Sequence, residues 1–174
     1  MKTFETLKRY LSQNDWAGAI DYLIGEEKKC PKDLDVSLNL IYCFGIFLTE
    51  MDPSQELRDD YTKQSTSLFA RAYETFKFNP EFLFYAGWMM FIGEWNYGVD
   101  TDFLESMINR AHELAPDNIL YKWATCQRGP DEKVREYRCL LMDYCKENGD
   151  SFIVKHGPIG EYLLECFMGR CHIK

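Results

Sequence analysis

The chain has 174 residues, of which 46% are apolar and 16% aromatic, enough to build one continuous core and too much to remain disordered. Its net charge of −8, from 28 acidic and 20 basic residues, repels nucleic-acid phosphates and suits a basic protein partner. Seven cysteines are an odd count, and Met1-Lys2-Thr3-Phe4-Glu5 leads into a charged amphipathic segment, not a secretory signal; together they predict reduced thiols and a cytoplasmic location.

Nearly every segment carries helical spacing. Phe4, Leu7 and Leu11 make the first stripe; Trp16, Ile20 and Leu23 make the second, after a cap at Asn14 or Asp15. Cys30-Pro31 ends it, and residues 34–49 form an almost wholly apolar third helix. Asp52-Pro53-Ser54-Gln55 reads as the next start, with Asp52 as N-cap, Pro53 at the first helical position and Gln55 as capping-box partner. That helix is predicted to run to Phe78. Asn79-Pro80 caps a fifth helix ending near Asn96 or Tyr97, with Gly98 as a left-handed stop.

Asp100 or Thr101 starts a sixth helix, striped by Leu104, Met107, Ile108, Ala111 and Leu114. After Ala115-Pro116 a short seventh carries Ile119, Leu120, Trp123 and Ala124. Gly129-Pro130-Asp131 precedes an eighth that Gly149-Asp150 should end, leaving Ser151–Gly157 extended or as a loop. Pro158 opens the last helix, striped by Ile159, Tyr162, Leu163, Cys166 and Phe167. The expected class is all-α in a single domain, 1–174. The longest apolar runs, Leu38–Leu48 and Phe82–Ile92, are about half the ~20 residues that span a bilayer, so they read as buried helices.

Pro80 and Pro116 lie 36 residues apart, close to the period of a two-helix repeat. Between them, Trp88-x2-Phe91-Ile92-x2-Trp95 is followed by Leu104-x3-Ile108, Ala111 and Pro116; earlier, Tyr10, Ala19, Leu23 and Pro31 take matching slots. In this order of aromatic, large apolar and small residues the chain resembles the tetratricopeptide family. Ile92 stands where that family has glycine, Leu104 where it has alanine, and the stretch from Pro31 to Pro80 needs an insertion. The resemblance implies antiparallel helix pairs stacked in a tetratricopeptide-like array, with a C-terminal capping helix. Trp88, Ile108, Ala111 and Trp123 would be buried at its central joint.

Residues 78–121 hold seven acids (Glu81, Glu94, Asp100, Asp102, Glu105, Glu113 and Asp117) and one base, Arg110, for a net −6. Most of the excess negative charge therefore sits there. Glu94, Trp95, Tyr97, Asp100, Asp102 and Glu105 are the candidate partner-binding set: large aromatics anchor interfaces, and acids around them steer a basic partner. The repeat alignment also offers Trp95 a packing slot, whereas Tyr97, Asp100 and Asp102 read as surface residues.

No nucleophile elbow, papain-like motif or glycine-rich phosphate loop is present, and no enzymatic activity is expected. His156 could pair with Cys145 or Ser151 only if the fold brought them together. Cys166-x4-Cys171-His172 lacks the spacing of a zinc knuckle, and Cys166 falls on an apolar stripe. Neither a metal nor a cofactor is expected. In size, acidity and irregular helical repeat the chain is similar in overall character to bacterial toxin-immunity proteins. That resemblance implies a cytosolic inhibitor that occludes a toxin domain, such as a basic nuclease, without turnover. An acidic tetratricopeptide-like secretion chaperone is the alternative.

Overall fold

The computed structural model describes residues 2–126 and 130–169. Among these residues it is all-α, with no strand. The helices are α1 (Lys2–Ser12), α2 (Trp16–Lys29), α3 (Leu34–Glu50), α4 (Gln55–Phe76), α5 (Pro80–Met90), α6 (Thr101–Leu114), α7 (Ile119–Thr125), α8 (Asp131–His156) and α9 (Pro158–Phe167). A short 3-10 turn, Glu94–Tyr97, separates α5 from α6. No described helix is long and apolar enough to cross a membrane.

Polar caps set most of the starts. The side chains of Asp15, Asp33, Ser54, Asn79, Asp100 and Asn118 each accept from a backbone N–H in the first turn of the helix they precede. The fourth start differs from expectation. Ser54 is the cap, and Asp52 instead takes a positive φ of 45° in the preceding turn. Pro53 therefore lies outside the helix, and Gln55 begins it, hydrogen-bonding forward to Asp59.

An apolar helix with no polar face has to be surrounded. Every residue of α3 from Val36 to Leu48 is buried, and α3 packs against α2, α4, α5 and α9. Phe82 to Met90 of α5 are buried except Trp88, which is half-buried. Ile108, Ala111 and Trp123 are buried, and the Trp88 ring lies 4.9 Å from that of Trp123. Phe167 of α9 joins the same aromatic group, 5.8 Å from Trp88 and 5.7 Å from Trp123.

The chain also turns back on itself. α9 contacts α1 and α3 as well as α8, whereas in an open repeat array each unit touches only its neighbours. Asn39 of α3 holds that return in place. Its Nδ2 donates to the carbonyls of Asp35 (2.8 Å) and His156 (3.0 Å), and its Oδ1 accepts from the backbone N–H of Ile159 (3.2 Å). The carboxamide is fully buried, at 0% exposure, and wholly satisfied. The corner it grips is Gly157, whose φ of 65° belongs to the left-handed region that favours glycine.

α8 overturns the expected break at Gly149-Asp150. It runs unbroken to His156, so Ser151–His156 is helix, neither extended nor loop. A Cβ at position 149 would lie 3.1 Å from Leu164 Cδ2, so this glycine serves the close approach of α8 to α9. The contact lies 15 residues away in sequence and is invisible to a local stop rule.

Among the described cysteines, Cys30 and Cys139 are exposed and Cys43 and Cys145 are buried, none of these four in a disulfide. Burial pushes both the Cys43 and the Cys145 thiols up. Thiolate is the reactive form. An aromatic disulfide reagent is therefore expected to modify Cys30 and Cys139 in the native protein and Cys43 only on unfolding. Native-state labelling at Cys43, read by peptide mass, would contradict this packing. Cys171, with His172, lies outside the described residues.

Candidate interaction surface

The six candidate residues occupy one continuous stretch, and the structure sorts them by depth. α5 ends at Met90 instead of continuing to Asn96, and the chain tightens into the 3-10 turn. The change from 3.6 to about 3.0 residues per turn rotates the side chains that follow. Trp95 is thereby carried outward, to 64% exposure, away from the packing slot that the repeat alignment offered it.

Tyr97 is carried inward, contrary to its reading as a surface residue. It is 1% exposed, and its hydroxyl donates to the carbonyl of Ile41 in α3 at 2.6 Å. Gly45 permits this approach, because a Cβ there would sit 3.0 Å from the Tyr97 oxygen. Burial pushes the phenol far above its ordinary value, so it stays a neutral donor.

The acids stay outside. Asp100 is exposed and caps α6, its Oδ1 accepting from Phe103 N–H at 2.8 Å. Asp102 is exposed in the first turn of α6. Glu94 and Glu105 are half-buried, and Phe91, 37% exposed, adds apolar surface just before the turn. The turn itself is held firmly. The Ser65 hydroxyl of α4 donates to the Asn96 carbonyl, Gly98 N–H donates to Trp95 O (3.3 Å), and Gly98 takes the left-handed conformation expected of it. An exposed indole thus stands on a backbone pinned from both α3 and α4.

A second constellation was not anticipated. His156, 2% exposed, places Nε2 3.0 Å from Glu81 Oε1 and Nδ1 3.4 Å from Asp35 Oδ1. Lys155 also pairs with Glu81. The Tyr85 and Phe152 rings pack on the imidazole, with centroids at 5.0 and 4.8 Å. Burial works against the charged imidazole, but the nearby Asp35 and Glu81 carboxylates outweigh that and leave its pKa raised. Burial likewise opposes the Glu81 carboxylate, and hydrogen bonds from His156 and Lys155 overcome it, leaving its pKa lowered. The cluster ties α3, α5 and α8 together.

Nε2 is committed to Glu81, while Nδ1 faces the Asp35 carboxylate at 3.4 Å without an aligned hydrogen bond. The Ser151 hydroxyl donates to Asn148 O at 2.9 Å within its own helix, so the serine–histidine pairing considered from the sequence is not formed among the described residues. These residues also assemble no cluster of three or more histidine, cysteine, aspartate or glutamate side chains suited to a metal ion. The only advance signal for the ionic cluster is a lone histidine in the expected break between the last two helices. Its partners lie 75 and 121 positions upstream. No family model matches the chain, and neither does any curated protein or any solved structure.

Proposed function

We propose that the chain is a protein-binding inhibitor that occludes a basic protein partner through the turn between α5 and α6, as a bacterial immunity protein occludes a toxin domain. The observation that carries this reading is Trp95: a large aromatic, 64% exposed, on a turn whose backbone is fixed by Tyr97 and Ser65. An exposed tryptophan on a rigid support loses little conformational freedom on binding, which is what an interface anchor requires. Glu94, Asp100, Asp102 and Glu105 lie close to it in sequence within a stretch of net −6, and a basic surface complements that field. Consecutive contacts of α5 with α6 and of α6 with α7 are compatible with stacked tetratricopeptide-like pairs, with α9 as the closing helix. No turnover and no cofactor enter the mechanism, and the site of action is the cytoplasm.

On this reading a basic toxin domain is expected to be encoded directly upstream of this gene, and that domain is the binding partner for the test. Co-expression is expected to protect cells from that toxin only. Because Trp95 is exposed, Trp95→Ala is expected to leave the melting temperature unchanged and to speed dissociation about 30-fold, the equivalent of about 2 kcal/mol. Asp100→Asn keeps the helix cap while removing its charge; combined with Asp102→Asn it should slow association at low salt and little at high salt. Wild-type kinetics in a folded Trp95→Ala protein would move the interface away from this turn.

A further inference from the structure

On the face where α5, α7 and α8 meet, a cleft of about 580 Å³ opens beside the ionic cluster. That size lies within the range of small-molecule sites. Its character follows from what the lining groups still have to offer. Tyr85 of α5 and Tyr121 of α7 are 4% and 3% exposed, and Tyr144 of α8 is half-buried. All three line the cleft, and their hydroxyls hydrogen-bond to no other described residue. The rings are buried but none of the three hydroxyl oxygens is an enclosed unsatisfied atom, so the hydroxyls open to the cleft and are free to bond what enters it.

Asn79 and Asn118 stand at its edge. The Oδ1 of Asn79 accepts from Glu81 and Phe82 N–H, and the Oδ1 of Asn118 accepts from Leu120 N–H. These bonds occupy the carbonyl side of each carboxamide, and the NH2 side remains as the donor. The charges at the cleft, in contrast, are already spent on one another: Glu81 is held by Lys155 and His156, and His156 is held in turn by Asp35. The cleft therefore offers phenols that both donate and accept, amide donors and no uncompensated charge, on a floor formed by the packed Tyr85 and Phe152 rings.

We propose that this cleft binds a neutral polyhydroxylated ligand, a sugar, with the Tyr85, Tyr121 and Tyr144 hydroxyls and the Asn79 and Asn118 amides bonding its hydroxyl groups. The hydroxyl groups of such a ligand both donate and accept, and so match phenols and amides that neither a charged nor an apolar ligand would satisfy. The site is independent of the Trp95 turn and does not rest on the inhibitor reading.

The test is a titration of the 15N-labelled full chain with glucose, galactose and N-acetylglucosamine, and with gluconate as the charged counterpart. At least one neutral sugar is expected to give saturable shifts in the Asn79 and Asn118 side-chain amides. Tyr121→Phe and Tyr144→Phe, which remove only a hydroxyl, should each weaken that binding about two- to tenfold. Trp95→Ala, outside the cleft, should leave it unchanged. Absence of saturable shifts with all three neutral sugars would overturn the proposal, as would tighter binding of gluconate or full affinity in both phenylalanine variants.

Discussion

Tyr97→Ala is expected to cost about 3–5 kcal/mol of stability, the range for deleting a buried aromatic side chain. The ring lies against Phe69, with centroids 6.4 Å apart, and its hydroxyl bonds across to α3. Its loss would open a cavity between α3, α4 and the turn and release the backbone that carries Trp95. For a chain of this length each kcal/mol moves the midpoint by roughly 2–4 °C, so melting should fall by about 10 °C. Tyr97→Phe keeps the ring and should lose only about 1 kcal/mol, for the one hydrogen bond. The position thus changes role: expected on the surface, Tyr97 is instead the buried support beneath the exposed Trp95. A melting temperature preserved in Tyr97→Ala would remove the residue from the core.

The second large effect belongs to His156. His156→Ala would remove the shared partner of Asp35 and Glu81; because Asp35 is 37% exposed and Glu81 keeps Lys155, the cost should fall below that of a fully buried pair, at roughly 1–3 kcal/mol. The pH dependence has a definite sign. The His156 pKa is raised in the folded chain, so its contribution is fully present below the ordinary imidazole value of 6.5 and is lost as pH rises through the raised value. A neutral imidazole then turns a lone pair toward one of two carboxylates. The Glu81 pKa is lowered, so its contribution is present above the ordinary carboxyl value of 4.5 and is lost as pH falls through the lowered value. Stability measured by urea denaturation should therefore form a plateau between about pH 4.5 and 6.5 and decline on both sides. In His156→Ala the alkaline decline should vanish. An alkaline limb of equal slope in that variant would assign the titration to another group.

What could be read from the sequence was what depends on near neighbours. The caps at Asn79 and Asp100, the all-apolar α3 and the left-handed Gly98 each follow from a few adjacent residues, and the structure has them all. The phase of the chain beyond Met90 does not follow in that way. A 3-10 turn interrupts the period, and that change exchanges the expected depths of Trp95 and Tyr97. Gly149 looked like a stop because its reason, Leu164, belongs to another helix. Glu81, Asp35 and His156 read as surface acids and an isolated histidine because only the packing of α3, α5 and α8 makes them neighbours.

The grip of Asn39 on the α8–α9 corner carries a consequence for how the protein is made. Its side chain sits at the centre of the helix that organises the core, yet its partner Ile159 is added 120 residues later. At the roughly 5–20 residues per second of ribosomal synthesis, that interval is about 6–24 s. During it, α3 can form but cannot be sealed, because burying the carboxamide without the corner would strand its polar atoms. The part of α3 around Asn39 thus stays open until the late helices emerge, although α2, α4 and α5 can cover the rest of its surface sooner. Pausing translation before position 159 should prolong exactly that interval of vulnerability to chaperones and proteases.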